Sequence, residues 1–125
     1  MTWDELAIDM LKAAQMLLDT HPRSSASRAY YAAHIALAKT LEAHGYVPQG
    51  GQTPPHKKQK TLIGQYLSGI GQSNVKELNR LFTRLYGRRI DSDYIRQVTI
   101  DRSIARDSIR DASSVFRSLK MPEVS

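Results

Sequence analysis

The alanine-rich stretch between Ser24 and His44 constrains the fold of this chain more than any other feature. Its small residues recur mostly at helical spacing: Ala29, Ala32, Ala33, Ala36 and Ala38. Because alanine is small, a neighbouring helix can approach such a face closely. Leu37 and Leu41 extend the apolar face, and Gly45 follows where a left-handed C-cap is expected. The sequence therefore predicts a packed helix over about residues 24–44.

Four further segments show the same helical period and are separated by turn-forming residues. We predict helices over about residues 2–20, 55–69, 73–89 and 101–119. Thr2 and Glu5 form a capping-box pattern at the start of the first helix. The predicted loop over residues 46–55 contains two glycines and three prolines, and residues 90–99 are predicted to be a connection.

No strand-like alternation of apolar and polar residues is present. The predicted fold class is therefore all-α, an up-and-down bundle of about five helices in a single domain over residues 1–125. The short connections place sequential helices antiparallel to each other.

Charge and composition favour some classes of partner and exclude some kinds of site, but they do not determine the function. Eighteen lysines and arginines against twelve acidic residues give a net charge of +6, which favours a polyanionic partner such as RNA or a nucleotide. A basic protein without such a partner is the open alternative. The chain has no cysteine, which excludes disulfides and thiolate metal sites. No apolar run reaches the roughly 20 residues of a membrane span, and the N-terminus lacks a signal-peptide pattern, so we expect a cytoplasmic protein with no membrane association.

Metal and cofactor sites are not predicted from the sequence. The histidines at positions 21, 34, 44 and 56 do not have the spacing of metal ligands on one helix face. The loop GYVPQGGQ lacks the lysine and hydroxyl residue that end a P-loop, and no strand precedes it. We therefore expect no cofactor and no metal.

Several motifs in a fixed order resemble those of a known family. They are SRAYYAAHIALAKTLEAHG, His56 before a basic helix, LFTRLYGRRIDSDY, and a last amphipathic helix. Over about residues 5–119 the chain resembles a HEPN domain, and more narrowly the small stand-alone HEPN proteins that are paired with a minimal nucleotidyltransferase. The resemblance implies a helical bundle that forms a homodimer. Many members are metal-independent ribonucleases, often toxins of toxin–antitoxin pairs, whereas others have lost the motif and act as binding or regulatory partners.

The ribonuclease members carry an Arg-x(4–6)-His motif, and two places in this chain compare with it. Arg28 and His34 match by letter, but they stand six residues apart inside a helix, about 240° of rotation, and therefore point to different sides. We interpret both as scaffold and predict that His34 is a partly buried, hydrogen-bonded histidine. The position that matches the family is RRIDSDY, where Arg88 is followed by Asp93 and Tyr94.

Asp93 stands where the ribonuclease members have histidine. An aspartate is ionised at pH 7 and is a poor general acid. It could act as a base if burial raised its pKa, or it could pair with Arg88 or Arg89, and the sequence leaves both open. In some members a tyrosine just after the motif is adenylylated by the partner enzyme, and Tyr94 is the candidate here. The alternative is a packing tyrosine with its hydroxyl satisfied.

Supporting cations complete the predicted site. The residues predicted to bind nucleic acid or nucleotide are Arg80, Arg84, Arg89, His56 and Lys57. Arg80, Arg84 and Arg88 recur at four-residue steps along the fourth helix, with Arg89 beside them. This stripe could line a phosphate-binding groove, although solvated charged faces are the alternative. The fifth helix interleaves Arg102, Arg106 and Arg110 with Asp101, Asp107 and Asp111, which predicts an ordinary exposed helix face.

Two hypotheses follow for the function. The first is a HEPN-type toxin–antitoxin protein that binds RNA or nucleotide, with Arg88, Asp93 and Tyr94 as the catalytic residues of a metal-independent ribonuclease. The second is a non-catalytic HEPN module that binds and regulates a partner nucleotidyltransferase. A helical bundle whose basic faces have no nucleic-acid role is a third interpretation.

Overall fold

The computed structural model describes residues 1–48 and 53–121, and this part of the chain contains helices and no strands. The α-helices are α1 (Trp3–Leu17), α2 (Pro22–Ala43), α3 (Gln59–Tyr66), α4 (Gln72–Tyr94) and α5 (Arg102–Ser118), with 3₁₀ turns at His56–Lys58 and Ser68–Ile70. The predicted all-α fold class is confirmed. Part of the predicted loop over residues 46–55 falls on residues 49–52, which lie outside the described residues.

The first helix begins where its capping residues predict. The Thr2 hydroxyl accepts a hydrogen bond from the Glu5 backbone N–H at 3.1 Å, and the Glu5 carboxylate accepts one from the Thr2 N–H at 2.8 Å. Together the two bonds satisfy two backbone donors that have no partner within the helix, so the predicted capping box is confirmed.

Helix α2 is the centre of the bundle and contacts α1, α4 and α5. Five of its alanines, at positions 26, 29, 32, 33 and 36, are completely buried, which lets the neighbouring helices approach closely. The helix begins at Pro22, two residues earlier than predicted. Proline suits the first helical position because an N–H there would have no partner within the helix. Gly45 follows with a φ of 101°, the left-handed conformation expected of a C-cap glycine.

The third helix differs from its prediction in both bounds. The chain enters it through the 3₁₀ turn at His56–Lys58, and α3 ends at Tyr66 rather than near Gly69. The second 3₁₀ turn then leads to Gly71, whose φ of 98° lets the chain reverse into α4. Gly71 therefore precedes the fourth helix and does not end the third.

The fourth helix is longer than predicted, and a distant arginine explains its length. The prediction that residues 90–99 form a connection is wrong for residues 90–94, which are helical. Arg23, on α2, donates hydrogen bonds to the backbone oxygens of Asp91 (2.9 Å) and Ser92 (3.0 Å), and it also contacts that of Val98. The last carbonyls of a helix have no partner within it, so this guanidinium stabilises the additional turn.

One buried cluster joins all five helices. Its members include Leu11, Leu37, Ile63, Leu81 and Phe116. Within residues 1–48 and 53–121, no helix has the length and apolar character needed to cross a bilayer. The end of α4 and the 3₁₀ turn at His56 both pack against α2, where they contact the adjacent residues Tyr31 and Tyr30.

Candidate functional site

Arg89, near the end of α4, lies among tyrosines from two helices. Its Nη2 donates to the hydroxyl of Tyr31, on α2, at 2.6 Å and to that of Tyr94 at 3.2 Å. The guanidinium carbon lies 5.0 Å from the Tyr94 ring centroid, 5.3 Å from that of Tyr31 and 6.0 Å from that of Tyr30. These are cation–π distances. We call Arg89, Tyr31, Asp93 and Tyr94 the Arg89 centre.

Asp93 is the carboxylate of this centre. Its Oδ2 lies 3.1 Å from Arg89 Nε, an ion pair that is not aligned as a hydrogen bond, and it accepts a hydrogen bond from the Ser27 hydroxyl at 3.1 Å. Of the two roles that the sequence left open, the structure shows the ion pair, and the partner is Arg89. Burial opposes the charge of Arg89, but its bond to Tyr31 and the nearby Tyr94 and Asp93 outweigh this and raise the pKa of Arg89.

Tyr94 is the last residue of α4 and is 66% exposed. Its hydroxyl accepts the hydrogen bond from Arg89, whose guanidinium also lies against the Tyr94 ring. Tyr94 is therefore not a core residue, but it does contact Arg89 and its hydroxyl has a partner, as the alternative of a packing tyrosine expects.

His56 lies beside the centre, in the 3₁₀ turn that precedes α3. Its ring is stacked on Tyr86, with the planes 6° apart, and its Nδ1 lies 3.4 Å from the Tyr30 hydroxyl. Burial is the main cause that lowers the pKa of His56, and the charge of Arg89 adds to it, while the neighbouring Gln59 amide opposes both. The imidazole is therefore neutral at pH 7 and able to accept a proton.

A buried polar network lies beneath His56. The Gln59 amide nitrogen contacts His34 Nδ1 at 2.5 Å and the Tyr30 hydroxyl at 3.4 Å. Burial is the main cause that lowers the pKa of His34 to about 4, and burial raises the pKa of Tyr30 to about 12. Both side chains are therefore neutral over the physiological range, and the prediction that His34 is a buried, hydrogen-bonded histidine is confirmed.

Arg28 does not join this network. It is exposed on α2, and its hydrogen-bonding contact is a weak one with the Met10 sulfur at 4.0 Å. The Arg28 and His34 side chains thus lie in different environments, as their spacing along the helix predicts.

Arg84 and Arg88 face α5 and not the Arg89 centre. Arg84 forms two hydrogen bonds with the Asp111 carboxylate, at 3.1 and 3.0 Å, and Arg88 forms a third at 2.7 Å. Burial favours protonation of Asp111, but the bonds from Arg84 and Arg88 outweigh it and lower the pKa of Asp111. The predicted catalytic set is therefore divided, because Asp93 and Tyr94 contact Arg89 while Arg88 contacts Asp111.

Asp111 corrects the prediction for the fifth helix. Its residue surface is only 2% exposed, so it does not belong to an ordinary charged face. The helical period contained the signal, because Ser108, Asp111, Ala112 and Val115 are all buried and follow one another at spacings typical of one helix face. A carboxylate on that face requires a cationic partner, and the two arginines of α4 provide it.

Three other predicted residues line a cavity of about 310 Å³ between the start of α3 and α4. Its wall is formed by His56, Lys57, Gln59, Lys60, Asn79, Arg80, Phe82 and Thr83. The structure thus brings His56, Lys57 and Arg80 together, whereas Arg80 also pairs with Glu77 at 2.5 Å. Within the described part of the chain, no group of three histidine or acidic side chains could hold a metal ion.

The fold and the site define a class of protein: a helical bundle with a cationic, tyrosine-lined centre between its second and fourth helices. The family model for the HEPN domain matches residues 2–121, nearly the whole chain. The chain belongs to the HEPN domain family. No curated protein matches it closely enough to count as a relative.

Sequence reasoning missed Ser27, Tyr31, Gln59 and Tyr86 as parts of the site. Tyr31 lies in the SRAYYAAH motif, so the motif itself was the available signal. The motif spacing favoured Arg88 over Arg89. Adjacent residues of a helix point about 100° apart, however, and only the neighbouring helices decide which of the two meets the site.

Proposed function

We propose that this protein binds RNA or a nucleotide at the Arg89 centre and that it is a metal-independent ribonuclease of a toxin–antitoxin pair. The supporting observation is that Arg89 is held between Tyr31, Tyr94 and Asp93, beside a neutral histidine. A guanidinium binds phosphate oxygens through paired N–H groups, and exposed tyrosine rings stack on bases. HEPN domains that act on RNA do so as dimers, and we propose a homodimer here as well.

The proposed reaction assigns a role to each group. Arg89 binds the phosphate and stabilises the charge that develops on it. His56, neutral at pH 7, accepts the proton of the attacking 2′-hydroxyl. The 2′-oxygen forms a bond to phosphorus while the bond from phosphorus to the 5′-oxygen breaks, and the protonated His56 returns the proton to the leaving 5′-oxygen. Asp93 orients Arg89 through their ion pair, and Tyr94 stacks on a base. Arg88, which the sequence made central, supports the site by fixing α4 against α5.

The test is RNA cleavage by the purified protein in the presence of a chelator. We expect Arg89→Ala and His56→Ala each to lower the cleavage rate by about a hundredfold or more, the range seen for loss of one acid–base or charge-stabilising group. Arg28→Ala is the matched control, because it removes an exposed arginine on α2, and it should cleave like the wild type.

Arg88→Ala separates the two site assignments. If the variant is folded and cleaves normally, the Arg89 assignment stands. Cleavage lost in Arg88→Ala but kept in Arg89→Ala would return the site to Arg88. A folded wild type that neither binds nor cleaves RNA would rule out the ribonuclease.

The exposure of Tyr94 favours a second candidate function. A hydroxyl on a side chain that is 66% exposed at a helix end is accessible to a modifying enzyme. We propose that a partner nucleotidyltransferase adenylylates Tyr94 and thereby regulates this module. Incubation with a minimal nucleotidyltransferase and ATP should add one AMP to the wild type and none to Tyr94→Phe. Tyr46→Phe is the control, and AMP on Tyr94→Phe would contradict the assignment.

A further inference from the structure

The cavity between α3 and α4 has the size and chemistry of a ligand site. It is separate from the Arg89 centre, because none of the four residues of that centre lines it. Its volume of about 310 Å³ lies at the lower end of the range for small-molecule sites. Apart from Phe82, every side chain of its wall is polar or basic, and none is acidic. Such a wall favours an anionic ligand with hydrogen-bonding groups.

The lysines supply the charge. Lys57 and Lys60 are both exposed at the start of α3, and no carboxylate in residues 1–48 or 53–121 lies within 4.0 Å of either ammonium group. Arg80, on the opposite wall, has Glu77 as a partner. The two lysines are therefore available to a phosphate.

Gln59 supplies an independent indication of a ligand. Its residue surface is 2% exposed, and its amide oxygen is buried with no hydrogen-bond partner among the described residues. His34 and Tyr30 both contact the amide nitrogen. If the amide oxygen and nitrogen of Gln59 were exchanged, the nitrogen would be the atom without a partner instead. A buried polar atom without a partner is costly, and a ligand group in the cavity would relieve that cost after a small shift of the wall.

His56 connects the cavity to the Arg89 centre. It lines the cavity, and its Nδ1 lies 3.4 Å from the hydroxyl of Tyr30, whose ring centroid is 6.0 Å from the guanidinium carbon of Arg89. The cavity and the Arg89 centre are therefore neighbours, and the His56 imidazole and the buried Tyr30 ring lie between them.

We propose that the cavity binds the nucleotide next to the one at the Arg89 centre, so that the ligand is a single-stranded RNA of at least two nucleotides. Lys57 and Lys60 bind its phosphate, and Gln59 bonds its base or ribose. The proposal rests on the proposed function, because it takes Arg89 as the first phosphate site. It deepens that function by placing His56 between two bound nucleotides.

The experiment compares ligands that fill one site or both. Binding of three ligands with a 5′-phosphate and a 3′-fluorescein label is measured by anisotropy for the full chain. They are uridine monophosphate and the 2′-O-methyl uridine dinucleotide and tetranucleotide, which cannot be cleaved. We expect the wild type to bind the dinucleotide about tenfold or more tightly than the mononucleotide, as one additional charged hydrogen-bonding contact provides.

The variant Lys57→Ala/Lys60→Ala should lose this gain and keep mononucleotide binding. Its affinity for the dinucleotide should fall about tenfold, and the slope of log affinity against log salt should fall by about one. The control Lys12→Ala/Arg106→Ala removes two exposed charges on α1 and α5, outside the cavity wall, and should change either affinity by about twofold at most.

Three outcomes would overturn the proposal of a second nucleotide site. The first of them would reject that site while the proposed function stands. If the lysine variant binds the dinucleotide like the wild type while Arg89→Ala does not, the second site is wrong and the proposed function stands. If the lysine variant loses both ligands while Arg89→Ala keeps both, the cavity is the phosphate site itself. If the folded wild type binds no oligonucleotide, the proposed function fails and the second site with it.

Discussion

At the scale of single residues, the carboxylate of Asp111 determines where two arginines of α4 point. It is nearly inaccessible to solvent and receives hydrogen bonds from both Arg84 and Arg88. Removing one partner of a buried ion pair leaves a charge without compensation and costs more than the pair itself contributes. The Arg84 side chain is 38% exposed, so part of that cost is screened by water.

We expect Asp111→Asn to lower the free energy of unfolding by about 2 kcal/mol, measured by urea denaturation. Asp107→Asn is the matched control on the same helix, because its pair with Arg110 is at the surface, and it should change the value by about 0.5 kcal/mol or less. Equal losses in the two variants would show that the Asp111 carboxylate is not a structural anchor.

His34 links stability to pH. Burial, followed by the charges near it, lowers the pKa of His34 to about 4 in the folded protein, whereas an unfolded histidine titrates near 6.5. Between these values the unfolded chain binds more protons, so acid favours unfolding. The stability from His34 is therefore fully present above about pH 6.5 and is lost as the pH falls toward 4, by roughly 3 kcal/mol in all. The lowered pKa of His56 acts in the same direction.

Replacing His34 by glutamine should flatten this part of the stability profile, measured by urea denaturation between about pH 4 and 7. His44→Gln is the matched control, because it removes an exposed histidine from the C-terminal end of the same helix. A profile of His34→Gln that parallels the wild type would show that His34 is not the residue responsible.

At the scale of the elements, Arg23 determines where α4 ends. The local sequence predicts that the helix ends near Arg89, because the apolar stripe does not continue beyond that point. The stripe is formed by Leu78, Leu81, Phe82 and Leu85. Five further residues are helical because the Arg23 guanidinium, 68 residues away from Asp91 in sequence, binds the carbonyls of the last turn. This added turn carries Asp93 and Tyr94, so the site depends on a contact between α2 and α4.

We expect Arg23→Ala to lower the free energy of unfolding by about 1–3 kcal/mol, since it leaves several backbone oxygens without their charged donor. Amide hydrogen exchange should accelerate selectively at residues 91–95, where the last turn of α4 frays. Arg28→Ala, an exposed arginine on the same helix, should change neither measurement. Unchanged exchange in Arg23→Ala would mean that α4 holds its last turn without the cap.

At the scale of the whole molecule, the bundle depends on the small side chains of α2. Ala33 is completely buried in the shared core, so a larger residue would force neighbouring helices apart. We expect Ala33→Leu to lower the free energy of unfolding by about 1–3 kcal/mol. Ala43→Leu, at the exposed end of the same helix, is the control and should be close to neutral in chemical denaturation. An unchanged free energy of unfolding in Ala33→Leu would show that the core can accommodate a larger side chain at this position.

The helices themselves could be predicted from the sequence because their signals are local. The spacing of apolar residues, the Thr2–Glu5 capping box and Gly45 each act within a few positions of the chain. The same locality limited the prediction of the site. Local spacing along α4 favoured Arg88 over Arg89, and only the positions of Tyr31 and Asp111 on other helices show that Arg89 meets the site.

The sequence by itself determined that this protein is an all-α bundle of the HEPN family with basic residues on α4 and before α3. The tertiary structure alone decided that Arg89 joins Asp93 and Tyr94, that Arg88 is bound by a buried carboxylate, and that α4 reaches Tyr94. The physical reason is that helix formation depends on neighbours three or four residues apart, whereas a side chain's partner and burial depend on helices that are distant in sequence.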